Sequence, residues 1–200
     1  MIQASAKVLI IFIAFFYLFD TPPASSRTQS NLGQGKLLVA SRRMGDPRFA
    51  QSVVLLVHYS NRGAMGLMLN FPTKIAIQKA FPDVRAFAKR SDSVFIGGPV
   101  NPKKMHFLFR KFPRKVEAIH IFGDVYLSSG NESLQQVVKA VPRNPIRVYV
   151  GYAGWSAGQL EMEVDNGHWN ILPPDVGLIF HKDPAHIWEE VIDRSDTVTT

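Results

Sequence analysis

Residues Gly154-Trp155-Ser156-Ala157-Gly158 spell G-x-S-x-G. That is the spacing of a nucleophile elbow, in which a strained strand-to-helix turn lifts a serine hydroxyl toward a general base. The apolar run Ile146 to Tyr152 reads as a strand, and Gln159 to Val164 as a short helix, so the local context fits. His181 and His186 lie downstream, with Asp165, Asp175 and Asp183 as residues to orient them. Such hydrolases also need a larger parallel sheet and an upstream oxyanion loop, and no HGGG-like segment occurs. Ser156 is therefore the one catalytic candidate, held as an alternative to a binding role.

The same glycines admit two other readings. They run G-x-x-G-x-x-x-G from Gly151, which is neither the dinucleotide pattern nor a P-loop. A glycine loop opening a helix still exposes backbone N–H groups that attract anions, and Gly97-Gly98-Pro99 closes a strand as a second such edge. Glu161, Glu163 and Asp165 would repel a phosphate there and complement the helix dipole themselves. The structural reading is a tight corner that lets Trp155 pack. A binding cleft between Gly97, Gly98 and Pro99 on one side and Gly154, Trp155 and Gln159 on the other is the functional one. Asn70 and Pro72 join this candidate set, with Asn70 expected to hydrogen-bond the turn backbone. Trp188 is expected to dock the last helix.

Lys103, Lys104, Arg110, Lys111, Arg114 and Lys115 surround Phe107, Phe109 and Phe112. Cations beside exposed aromatics suit single-stranded nucleic acid, with Lys103, Lys104, Arg110 and Lys111 as the contact candidates. In a strand, however, Phe107 and Phe109 share one face and read as core, and no helix-turn-helix or RNA-binding signature appears. The six histidines form no metal-binding spacing, and the absence of cysteine removes disulfides, thiolate sites and cysteine nucleophiles. No metal and no cofactor is implied.

The elements that must position these residues follow from the pattern. Strands are expected at Lys36 to Ala40, Ser52 to Tyr59 and Ala64 to Asn70. A helix from Pro72-Thr73 to about Ala80 follows, with Thr73 as N-cap. Val94 to Ile96 is a strand, and Met105 to Phe112 with Val116 to Phe122 a hairpin. Val125 to Leu127 is a strand and Asn131 to Ala140 an amphipathic helix. Trp169 to Leu172 is a short strand, and a terminal helix spans Pro184 to Asp193. Strands and helices mix without strict alternation, which predicts an α+β domain with a mixed β-sheet and flanking helices. A three-layer α/β sandwich is the alternative.

Several blocks in this order, "GKLLVAS", "GDPRFAQSVVLLVHYSNRGAMGLMLNFP", "FIGGPV" and "GYAGWSAGQLEMEV", resemble the bacterial YqgE/AlgH family over roughly Leu32 to Ile192. The resemblance implies a compact α+β domain, usually soluble and cytoplasmic, of unsettled molecular function. The AlgH name implies a role in regulating alginate production. Three features depart from the family pattern: a hydrophobic N-terminal extension, Phe71 where members carry a basic residue, and Ser156 at a position that also accepts Gly. A hydroxyl that relatives replace is a poor nucleophile.

The 200 residues suit one domain, 46% of them hydrophobic and 20% charged, enough to bury a core. Charge is uneven: residues 31–150 hold 19 Lys and Arg against 6 Asp and Glu, and residues 151–200 hold 2 against 9. Internal neutralisation, self-association between basic and acidic regions, or a small anionic ligand would each answer this. Val8 to Phe19 is an apolar run of twelve residues after Lys7, about 18 Å as a helix and short for a bilayer core. With Pro22-Pro23 and small residues to Ser26, residues 1–30 read as a signal peptide or short anchor plus linker, and 31–200 as the domain. An exported or membrane-tethered protein is the expectation; a cytoplasmic one, with a misassigned start, is the alternative. The function expected is a non-enzymatic binding or regulatory module with a small anionic ligand or a protein partner. The Ser156 hydrolase and a nucleic-acid-binding protein stand as alternatives.

Overall fold

The unbroken apolar run after Ser52 folds as β2 (Val53–Ser60), whose first five residues are all buried. Val53, Leu55 and Val57 enter one core while Val54 and Leu56 enter another, so both faces of this strand are covered and polar alternation is not required. The computed structural model describes residues 31–111, 116–140 and 145–196. β2 lies between β1 (Leu37–Ala40) and β3 (Gly63–Met68), both antiparallel to it. Then come β4 (Pro72–Ala76), β5 (Ser93–Ile96), β6 (Val100–Arg110), β7 (Ile119–Phe122), β8 (Val125–Ser129), β9 (Ile146–Ser156) and β10 (Trp169–Leu172). The helices are α1 (Ile77–Ala80), α2 (Asn131–Ala140), α3 (Gln159–Asp165), α4 (Val176–Phe180) and α5 (Ile187–Asp196).

The strands join in the order β10-β1-β2-β3-β9-β6-β8-β7, with β5 paired to β9 and β4 to β5. β5 and β9 run parallel and the other ladders antiparallel, so the sheet is mixed and the architecture α+β, as expected. The sheet curls until its ends approach. Gln34 Nε2 donates to the carbonyl of His120 at 2.7 Å, which brings the residues before β1 against β7. The concave side holds Leu37, Leu55, Leu67, Leu108, Leu127 and Tyr149, and α4 and α5 add Leu178, Ile187 and Val191. Two further apolar layers lie outside, one under α3 with Trp155 and Trp169, the other under α2 with Phe107, Phe109 and Val148.

β9 serves both halves of the sheet: its end pairs with β3, and its beginning with β5 and β6. Between them Gly151 has φ +69°, a left-handed conformation natural to glycine. The alternation changes phase there. Val148 packs with the α2 layer and Tyr149 faces the concave core, while beyond the glycine Tyr152 faces that core and Trp155 turns to α3.

Two sequence expectations are corrected. The expected helix from Pro72 is strand β4, followed by only four helical residues. Thr73 Oγ1 accepts from the Ile75 N–H at 3.1 Å; its local side-chain bond is a turn within the chain and not a helix cap. Pro72, which lacks an N–H, sits at a sheet edge where none is needed. The expected hairpin of β6 with β7 does not form. β8 lies between them, paired to β6 on one side and β7 on the other.

Candidate functional site

The G-x-S-x-G stretch is strand, not elbow. Gly154, Trp155 and Ser156 pair with Met65, Ala64 and Gly63, and the turn is confined to Ala157-Gly158 before α3. Ser156 is exposed. Its backbone N–H donates to Gln159 Oε1 at 3.0 Å, so it is engaged within the corner. Among the described residues no histidine hydrogen-bonds its hydroxyl; the His186 ring lies 3.4 Å from Glu189.

The corner instead closes on Glu163. Its Oε2 accepts from the indole of Trp155 at 2.9 Å and of Trp169 at 2.8 Å. Its Oε1 accepts from Gln159 Nε2 at 2.9 Å. Gln159 and Glu163 stand one helical turn apart on α3, so both face β9. Phe49 stacks on Trp155 at 6.2 Å and meets Trp169 edge-on at 5.8 Å. It is delivered by the Asp46-Pro47-Arg48 turn, where hydrogen bonds from Arg48 hold the Asp46 carboxyl below its usual range. Nearby, Tyr59 donates to Glu161 at 2.7 Å. Desolvation first, and that bond second, push its phenol up to about 12.

Gly97 and Gly98 are buried against β9. The Gly97 N–H donates to Val150 O at 2.8 Å, and a Cβ on Gly98 would lie 2.2 Å from the carbonyl carbon of Tyr152. These glycines allow two backbones to touch. Pro99 is exposed beyond them, and Gly154 faces the Tyr152 ring. Among the described residues no hydrogen bond or ring contact joins this group to Trp155 or Gln159.

Asn70 binds backbone, though that of the segment leading into β2 and not that of its own turn. Its Nδ2 donates to Gln51 O at 2.8 Å, and its Oδ1 accepts from Val53 N at 2.9 Å. This holds Gln51 at φ +56°, a strained conformation for a residue with a side chain. Pro72 is exposed at the start of β4. A recess of about 200 Å³ opens at this corner, with Gln51, Asn70 and Phe71 facing Ala185, Trp188 and Glu189 of the terminal segment. Trp188 also docks its helix, donating to Ala40 O at 2.7 Å. Asn70 marked this corner in the sequence; its partners across the recess carried no local signal, because they lie more than 110 residues away.

The four cationic candidates separate. Lys103 and Lys104 occupy the irregular start of β6, where the register with β9 slips between Val100 and Met105. Arg110 and Lys111 lie at its other end, roughly 20 Å off at strand rise, and Arg110 pairs with Asp124 at 2.8 Å. Phe107 and Phe109 are wholly buried and offer no stacking face. Phe112, Arg114 and Lys115 lie outside the described residues. Sequence reasoning missed His106, buried with its Nδ1 2.8 Å from Ser129 Oγ and its ring edge-on to Tyr152. Desolvation, then Lys104, lowers its pKa to about 4. Strand alternation from Leu108 would have turned it to the core. Among the described residues no three His, Cys, Asp or Glu side chains gather as a metal site.

Comparison with known proteins agrees with this architecture. The model of the AlgH-like family (DUF179) matches residues 37–198. A UPF0301 protein of Cytophaga hutchinsonii is 32% identical over 165 residues, covering 80% of this chain and 88% of that one. A Chromobacterium violaceum UPF0301 protein is 33% identical over 147 residues, 72% and 79% of the two chains. The solution structure of the AlgH protein from Pseudomonas aeruginosa superposes with TM-score 0.66 at 26% identity, covering 80% of this chain and 87% of that one. A Corynebacterium diphtheriae crystal structure, 22% identical, shares the fold at TM-score 0.69 over 82% and 87%. With its ordered sequence blocks, its mixed curled sheet and a family match spanning nearly the whole described domain, the chain belongs to the AlgH-like family.

Proposed function

We propose that this protein is a non-catalytic binding module that docks a protein partner at the Asn70 recess, and that any regulatory role runs through that contact. The observation that carries this is the recess itself. Its floor is held by the Asn70 bonds and the strained Gln51, and its rim presents the rings of Phe71 and Trp188 beside the Glu189 carboxylate. Aromatic rings next to a carboxylate suit a basic side chain of a partner, through cation–π and ionic attraction together. The Gly-Trp-Ser corner supports the non-catalytic half of the reading, since its polar groups bond one another and, among the described residues, no histidine hydrogen-bonds Ser156.

The test uses the full-length protein labelled with 15N. Three tryptophans give three indole resonances. Titration with N-acetyl-arginine amide is expected to move the Trp188 indole and the amides of Gln51 and Phe71, leaving Trp155 and Trp169 in place. Glu189→Gln should weaken the effect several-fold. Unmoved Trp188, or an unchanged response in Glu189→Gln, defeats the docking site. Separately, a fluorophosphonate probe should not label Ser156; labelling that disappears in Ser156→Ala would make the protein a hydrolase.

Export completes the proposal. It rests on the apolar run 8–19, which lies outside the described residues; among the described residues no helix is long and apolar enough to cross a membrane. In cells expressing a C-terminally tagged gene, mass spectrometry should find a product beginning at Arg27 outside the cytoplasm. A cytosolic product beginning near residues 28–32 refutes it.

A further inference from the structure

Away from the Asn70 corner, the chain between α1 and β5 rests on α2 and leaves a larger cavity, of about 490 Å³. Its apolar side is Val84, Ala86 and Val138; its polar side is Arg85, Gln135 and Lys139, with Asp83 as the one carboxylate. This size lies within the roughly 300–1,000 Å³ of small-molecule sites, which combine an apolar lining with few polar groups. The volume alone does not choose a ligand. The charges do.

Arg85 and Lys139 form no ion pair with any described residue, whereas Arg90, close in sequence, is paired with Asp92 at 2.6 Å. Lys79 and Lys89, on the same stretch of chain as Arg85, are likewise without an ionic partner among the described residues. Asp83 offsets one charge, and Lys139 in part answers the carbonyl end of α2. The balance around the mouth remains positive, with two cations lining an apolar hollow. Solvated lysines on an open surface need no explanation. Arg85 and Lys139 are exposed too, but they share the rim of an apolar hollow of ligand size, where an anion with its own apolar body would meet both charge and carbon surface.

We infer that this cavity binds a small organic anion with an apolar body, its carboxylate or phosphate held by Arg85 and Lys139 and its carbon chain lying on Val84, Ala86 and Val138. The head group can come from a fatty-acid-like carboxylate or from an alkyl phosphate; both present the same charge at the end of a chain. The site is separate from the proposed docking recess and does not depend on it.

Octanoate, octyl phosphate, octanol and inorganic phosphate are titrated singly into the 15N-labelled full-length protein. Saturable shifts are expected at the amides of residues 83–86 and 134–139 with octanoate, octyl phosphate or both, and which one saturates first identifies the head group. Octanol and inorganic phosphate, each carrying half of the recognised chemistry, should bind at least about tenfold more weakly, as should either amphiphile to the Arg85→Gln/Lys139→Gln variant, the loss of charge-assisted bonds. Ala86→Phe, at an exposed position, should fill the hollow and weaken binding without removing charge. No saturable shift with either amphiphile at millimolar concentration overturns the inference. So does octanol binding as tightly, or binding indifferent to the double substitution.

Discussion

Glu163 is the acceptor for both indoles of the corner and for Gln159. Replacing it by alanine removes an acceptor from two tryptophan N–H groups that have no other partner among the described residues, and an unsatisfied buried donor costs about 1–3 kcal/mol. Glu163→Ala should therefore lower the unfolding free energy by about 2–3 kcal/mol, measured by urea denaturation. Glu163→Gln, which keeps an acceptor oxygen, should lose less. Ser156→Ala should stay within about 0.5 kcal/mol of the parent, as exposed positions do. His106 gives a second prediction. Its pKa is depressed to about 4 in the fold from an ordinary value near 6.5, so the unfolded chain binds the proton more readily. Its contribution is complete above about pH 6.5 and is lost as pH falls toward 4. A His106→Gln variant should show a flatter decline across that window. Tyr59 works with the opposite sign: raised to about 12, it stabilises below pH 10 and ceases to as pH rises through 12. Tyr59→Phe should remove part of the alkaline loss. The sequence displayed Trp155, Gln159 and Glu163, yet the carboxylate read as a charge that repels phosphate. Its true partners include Trp169 and Phe49, which no spacing rule connects.

At the scale of elements, legibility followed covering. β2 and α2 were readable because burial on two faces or one leaves a clear pattern. β4 was not, because it is exposed, short and opened by Pro-Thr, which imitates a helix start. β9 was readable only to Tyr152, since its glycines look like a turn; they mark the phase change at Gly151 and the backbone contact with Gly98. Gly98→Ala should be severely destabilising, by about 3 kcal/mol or more, because a Cβ there meets backbone atoms that cannot step aside. A soluble variant with an unchanged melt would contradict the packing described. Lys74 stands on β4, the edge strand, alongside Pro72 and the exposed Ile75. Both residue types discourage edge-to-edge pairing. Lys74→Val should raise the tendency to aggregate, read by light scattering at fixed concentration.

At the scale of the whole molecule, α5 belongs to the concave core as much as any strand, through Ile187, Val191 and Ile192. Residues 31–200 alone should melt in one cooperative transition. A chain cut before Pro184 should bind a hydrophobic dye and aggregate, because the curled sheet would then open on its own interior. A broad melt for 31–200 would place the domain start earlier. The uneven charge is answered only in part inside the fold. Arg42 reaches Asp193 at 2.7 Å across the two regions, whereas Lys182 and Glu190, 3.1 Å apart, both belong to the acidic one. Among the described residues, Arg110 of β6 pairs with Asp124 and Arg90 before β5 with Asp92, each a neighbour in the basic region.

β9 also sets a clock. Among the described residues it is the strand that pairs with both the β1–β2–β3 half of the sheet and the β6–β8–β7 half, and it is among the last strands to be made. While the ribosome is still working through residue 145, the nascent chain holds the β1–β2–β3 and β6–β8–β7 ladders with no common sheet. The first waits for β9 at β3 and for β10 at β1, the second for β9 at β6. Contacts of such long sequence separation form slowly, typically in milliseconds to seconds, and open edges are what nascent chains aggregate through. This protein should therefore lean on chaperones during synthesis more than its modest size would suggest, and recover less completely when β9 is slow to be translated.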